Sequence, residues 1–183
     1  LSDANVDIIG YACLVAIMSM GLGYHEASEN NLHKCTVQNQ NKTPVITSAG
    51  ALITGLKGLN ARKIALLCPY MKNLAKTVVN YISNEGFEVC DWHTLQIPNN
   101  LDVAAHDPKN LIDHACNLKL DDVDVIVVSA CVQMPSLSII PKLEQITQKP
   151  VISAAVCTVY SMLKSLNLEP IVPDAGTLLA GDY

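Results

Sequence analysis

The stretch Val123-Asp-Val-Ile-Val-Val-Ser-Ala-Cys131-Val-Gln-Met-Pro135-Ser-Leu137 decides the fold. Its short, β-branched apolar run has the composition of a strand buried on both faces in a parallel sheet. A cysteine and then a proline follow, which predicts a tight turn and a helix with Pro135 in its first turn. In open α/β sheets the ligand crevice lies at the carboxyl ends of the strands, and Cys131 falls there. The positive end of the following helix is expected to stabilise a thiolate at that place.

The pattern recurs. Val6-Asp-Ile-Ile-Gly-Tyr-Ala-Cys13 again runs Val-Asp, apolar residues, Ala-Cys, with one residue fewer before the cysteine. Pro44-Val-Ile-Thr-Ser-Ala49 and Pro150-Val-Ile-Ser-Ala-Ala155 follow the two cysteines in the same order. General similarity among α/β strands accounts for one such pair. Two pairs in one order predict an internal duplication, with two α/β halves facing each other and one cysteine from each.

The 183 residues, 50% hydrophobic and 16% charged, suffice for one large or two small domains with real cores. Aromatic residues make up 4%, so the core must be aliphatic, and the apolar runs are too short to span a bilayer. The N-terminal residues lack a basic region followed by a long apolar segment, so no signal peptide is expected. Seven cysteines without CxxC or Cys/His ligand spacing point to free thiols in a reducing, cytoplasmic setting. A formal charge of −5 argues against nucleic acid or an anionic membrane as partner. Arg62 is the only arginine and precedes a strand. An anionic ligand at the strand ends must therefore be held by backbone N–H groups, hydroxyls and amides.

Taken in order, a strand is expected over 5–12, then helix from Leu14 to about Val37 interrupted by Gly21-Leu-Gly23. That lone GxG is weak evidence for a dinucleotide site. His25, Glu29 and His33 share a helical face, which reads as a solvated stripe more readily than as a metal site. Strands follow at 45–47, 63–68, 87–91, 123–130 and 151–153. Helices are expected over 48–59, 73–84 closed by Gly86, Asp107 to Lys119, Pro135 to Thr147 and Ala154 to Leu166. Residues 92–106 form a long polar connection, of the kind that carries function. The first half (1–62 with the tail 170–183) has two strands where the second half (63–169) has four. The first half is thus expected to lack its N-terminal strand–helix units and to leave a strand edge unpaired, which favours a homo-oligomer.

The thiols sort by position. Cys35, Cys116, Cys157 and Cys90 lie inside helices or a strand and suit small buried hydrophobes. Cys13, Cys131 and Cys68 end strands, and Pro69 removes an N–H from the turn after Cys68. Cys13 and Cys131 are the sharper pair. Two facing cysteines permit proton removal on opposite faces of a carbon, or attack by one thiolate while the other moves a proton.

Tyr11-Ala-Cys-Leu-Val-Ala-Ile-Met18, Ser48-Ala-Gly-Ala-Leu52, Pro69-Tyr-Met71, the Asn100 segment, Cys131-Val-Gln-Met-Pro-Ser-Leu137 and Pro173-Asp-Ala-Gly-Thr-Leu-Leu179 carry a resemblance that runs the length of the chain. It is similar to the maleate cis-trans isomerase family of the Asp/Glu racemase superfamily. The resemblance implies two pseudo-symmetric flavodoxin-like parallel-sheet halves and cofactor-free conversion of maleate to fumarate. Cys13 would form a succinyl-cysteine type adduct and Cys131 would give and retake a proton. Tyr70, Asn100 and the backbone N–H groups of Leu14, Val15 and Val132 would hold the carboxylates of this small dicarboxylate. Family members begin earlier, with a strand ending in Pro-Ser-Ser-Asn that has no counterpart here. Related amino-acid racemases carry Cys-Asn-Thr at the cysteine, and arylmalonate decarboxylase has glycine at the first one. Cys13-Leu-Val and Cys131-Val-Gln fit neither. A two-cysteine racemase or epimerase, and a non-catalytic acid-binding domain, are the other readings of the cleft.

Overall fold

Lys63-Ile-Ala-Leu-Leu-Cys68 and Val125-Ile-Val-Val128 are the most deeply buried strands, with every residue but Lys63 sealed from solvent. Only a parallel strand covered on both faces accommodates such unbroken apolar runs. In the computed structural model, which describes residues 1–181, they pair at the centre of a four-stranded parallel sheet. The chain runs β1 (Ile9–Tyr11), α1 (Leu14–Met18), α2 (Tyr24–Gln38), β2 (Val45–Thr47), α3 (Ser48–Gly58), β3 (Lys63–Cys68), α4 (Lys72–Asn84), β4 (Glu88–Thr94), α5 (Asn100–Ala104), α6 (Asn110–Cys116), β5 (Val125–Val128), α7 (Ile140–Thr147), β6 (Val151–Ile152) and α8 (Ala154–Ser165). The larger sheet has the order β4-β3-β5-β6, and β1 pairs with β2 in a separate two-stranded parallel sheet. Among the described residues no helix is long and apolar enough to cross a membrane.

In each sheet the strand before the cysteine pairs with the strand that follows Pro44 or Pro150. Both Pro-Val-Ile-hydroxyl segments fold alike. Thr47 caps α3 by accepting from the Gly50 N–H, and Ser153 caps α8 by accepting from the Val156 N–H. A hydroxyl at that position satisfies one of the free donors of the first helical turn. The two capped helices then pack on each other. They approach so closely that a Cβ on Gly55 would stand 2.5 Å from Cys157 Sγ, and one on Gly58 2.9 Å from the Tyr160 hydroxyl. Helix α4 is amphipathic as its spacing predicts, burying Ala75, Val78, Tyr81 and Ile82. Gly86 ends it at φ +94°, a conformation that favours glycine.

Several boundaries differ from those expected. The cysteine strands shrink to three and four residues, because the Asp-rich approach and the cysteine turn lie outside the paired segments. Pro135 opens no helix: a turn follows Cys131, a 3-10 turn covers Leu137–Ile139, and Pro141 occupies the first turn of α7. Strand β4 runs on to Thr94, since residues 88–94 pair with β3, and α5 occupies part of the supposed long connection. Among its described residues the tail forms no strand and turns at Thr177–Leu179, burying Leu178 and Leu179. Asp182 and Tyr183, the end of that tail, lie outside the described residues.

Candidate active site

Cys13 is the N-cap of α1, exposed, with its carbonyl accepting from the Ile17 N–H. Leu14 turns into the core and Val15 packs against it from a half-buried position, while their amides belong to the first helical turn. Those first N–H groups have no partner within the helix and are available to an anion. Cys131 is half-buried in the turn after β5, not at a helix end, because α7 begins only at Ile140.

Tyr70 is anchored beside Cys131. It follows β3, and its phenol donates to the carbonyl of Ala130, the residue before Cys131, at 2.9 Å. Burial, with Cys131 next, pushes its ionisation far above the usual phenol range, and Cys68 and Cys13 act in the same direction. Three thiols thus act electrostatically on one phenol. Cys68, fully buried, is raised to about 11 by burial; the Thr94 hydroxyl and the Tyr70 N–H, its hydrogen-bond partners, pull the other way. Thr94 Oγ1 in turn donates to the Tyr70 carbonyl. The β3–β4 register, which sets Cys68 opposite Thr94, builds this clasp.

Asn100 begins α5, exposed, capped through Asn99. Its carbonyl accepts from Gln133 Nε2 at 2.7 Å, which ties it to the Cys131 turn beside half-buried Val132. Tyr70, Cys131, Val132 and Asn100 thus come together around one turn, and Cys13 lies within electrostatic range of Tyr70. No local pattern singles out Ser129. It is fully buried at φ 137°, accepts from the Cys131 N–H at 3.1 Å and donates to the Cys131 carbonyl at 2.6 Å. A non-glycine residue there carries strain of about 1–3 kcal/mol. Cys68 was visible as a strand-end thiol and Thr94 only as part of the polar connection, since register rather than local pattern brings them together.

The remaining thiols and the His25–Glu29–His33 stripe take other places. Cys157 is buried, and burial alone pushes its thiol far up. Cys35, Cys90 and Cys116 are exposed, contrary to the expectation of buried hydrophobes, because each falls on an outward face of its element. The stripe of His25, Glu29 and His33 is not solvated. His25 Nδ1 lies 2.6 Å from the Tyr81 hydroxyl, Glu29 accepts from both the N–H and the hydroxyl of Thr47, and His33 Nδ1 lies 3.0 Å from the Thr43 carbonyl.

A parallel α/β fold with cysteines at two strand ends is the setting in which the comparisons fall. A sequence model of the arylmalonate decarboxylase family matches residues 8–179, and the chain belongs to that family. It is 58% identical over 183 residues to a maleate isomerase of Pseudomonas putida, covering all of this chain and 73% of the relative. Among solved structures, a maleate isomerase of Pseudomonas putida, a cysteine-to-alanine variant with maleate, superposes with a TM-score of 0.98 at 56% identity, over 100% of this chain and 73% of that one. A cysteine-to-serine mutant of the Nocardia farcinica maleate cis-trans isomerase, with a covalently bound succinylcysteine intermediate, gives 0.97 at 41%, over 100% and 74%. Within the family the chain is an isomerase of the maleate isomerase type.

Proposed function

We propose that this chain converts maleate to fumarate without a cofactor, through a covalent succinyl-cysteine. The Cys13 thiolate adds to one alkene carbon of maleate, forming a C–S bond and placing the displaced electron pair on the neighbouring carbon and its carboxylate. Cys131 gives its proton to that carbon. The central bond is now single and rotates. Cys131, now a thiolate, takes the proton back, the double bond re-forms in the trans geometry, and Cys13 leaves as thiolate. Tyr70 and Asn100, with the N–H groups of Leu14, Val15 and Val132, hold the two carboxylates. Hydrogen bonding of this kind is worth most at the moment charge develops.

The observation that carries this reading is the Tyr70 phenol, fixed on the Ala130 carbonyl at 2.9 Å next to Cys131 and within electrostatic range of both cysteines. A solved relative that holds a succinylcysteine supports the covalent step. The experiment is maleate conversion followed by proton NMR, with and without a chelator. Fumarate formed equally in both is expected, and its absence would refute the proposal.

The same reading divides the chain into 1–62 with 170–183, and 63–169. Among the described residues β1 has β2 as its one neighbour, so its other edge is open and suits association with a further strand. The seven free cysteines fit a reducing, cytoplasmic compartment.

A further inference from the structure

We propose that Ser129 is a positioning residue for Cys131, its hydroxyl clamping the cysteine's backbone so that the thiol stays against Tyr70 through both proton transfers. The inference rests on the reading of Cys131 as the proton-handling thiol.

One hydroxyl serves both polar groups of the same residue here. Ser129 Oγ accepts from the Cys131 N–H at 3.1 Å and donates to its carbonyl at 2.6 Å. The Ser129 carbonyl accepts from the Ala154 N–H at 2.9 Å, so the clamp is anchored on the first turn of α8. The Ala130 N–H donates to the Leu67 carbonyl at 3.1 Å, which anchors the intervening residue on β3. Ser129 does this fully buried and at φ 137°. Glycine adopts that conformation at the least cost, so a side chain kept there points to a use for its hydroxyl.

The other cysteine has no such device. The residue two before Cys13 is Tyr11, 40% exposed, and Cys13 is held as the cap of a short helix. The chemistry explains the difference. A nucleophile bonded to its substrate travels with it, whereas the acid must meet the same carbon before and after rotation, when nothing covalent holds it. A displaced acid fails at both steps.

The test uses the full chain with Ser129→Ala and Ser129→Gly. Both variants are expected to lose roughly tenfold to hundredfold in kcat with little change in KM. Ser129→Gly should melt at or above Ser129→Ala, because it accepts the backbone conformation yet lacks the hydroxyl. Recovery of wild-type kcat in Ser129→Gly would overturn the proposal, as would a rise in KM at unchanged kcat. Alkylation of each cysteine by iodoacetamide, read by peptide mass mapping, gives a measure independent of turnover. The rate at Cys131 should change at least about threefold in both variants while that at Cys13 does not. Equal Cys131 rates in all three proteins would overturn the positioning role. A wild-type chain inert toward maleate, but with Cys131 rates that shift as expected, would overturn the isomerase reading and leave the clamp standing.

Discussion

The phenolic O–H of Tyr70 donates to the carbonyl of Ala130 at 2.9 Å, joining the residue after β3 to the residue before Cys131. Parallel pairing of β3 with β5 makes this possible, because it brings both strands to their carboxyl ends side by side. A phenol held in this way is fixed beside the thiol with its proton directed to the Ala130 carbonyl, and burial keeps it from ionising.

Tyr70→Phe is expected to lower kcat/KM by roughly a hundredfold or more if the hydroxyl acts on substrate and on Cys131. Loss of its bond to Ala130 should cost about 1 kcal/mol of stability. Because burial raises the ionisation of this phenol, any alkaline fall in activity below pH 10 belongs to other groups and should persist in the variant. Steady-state pH profiles and thermal unfolding of both proteins provide the check.

The two cysteines are expected to separate by adduct. Cys13→Ala should abolish turnover and covalent capture of maleate alike, whereas Cys131→Ala should block turnover yet still allow slow addition at Cys13. Peptide mapping after incubation with maleate reads the site directly. An adduct on buried Cys68 or Cys157 would contradict the assignment.

Stability should fall in alkali through Cys68. Unfolded, this thiol ionises near its ordinary value of 9.0; folded, burial holds it protonated to about 11. Between those values the unfolded chain has released the proton that the folded chain keeps, so stability decreases as pH rises. The whole window is worth roughly 3 kcal/mol. Cys157 shifts in the same direction, so the comparison is between wild type and Cys68→Ala. Urea titrations from pH 8 to pH 11 should show the wild type losing more stability than the variant, and parallel decline would contradict the assignment.

Gly55→Ala should destabilise the contact between α3 and α8. The added methyl would lie 2.5 Å from Cys157 Sγ and 3.1 Å from Leu178 Cδ2, both fully buried. Overpacking of this kind costs about 1–3 kcal/mol, more than the helix propensity gained from alanine. Calorimetry is expected to show a lower Tm for Gly55→Ala and partial recovery when Cys157→Ala removes the opposing sulfur.

Local composition was enough to place most elements. Continuous apolar β-branched runs marked β3 and β5 because a strand buried on both faces tolerates nothing else. The spacing of Ala75, Val78 and Ile82 marked α4. The paired motifs ending in Thr47 and Ser153 marked two strand-to-helix junctions, where a hydroxyl has a local partner three residues on. The misplaced boundaries share a cause. Pro135 suits a turn as well as a helix start, and which one forms depends on contacts made elsewhere.

By itself, then, the sequence determined a parallel α/β fold with Cys13 and Cys131 at strand ends, since strand period, caps and breakers act over a few residues. Only the tertiary structure decided what surrounds those thiols. Strand register set Cys68 opposite Thr94, the β3–β5 pairing carried Tyr70 to Ala130, and a strained backbone turned Ser129 onto Cys131. Such neighbours are distant in the chain or depend on one unfavourable φ angle, and neither leaves a mark in local sequence pattern because both are paid for by packing gathered across the whole fold.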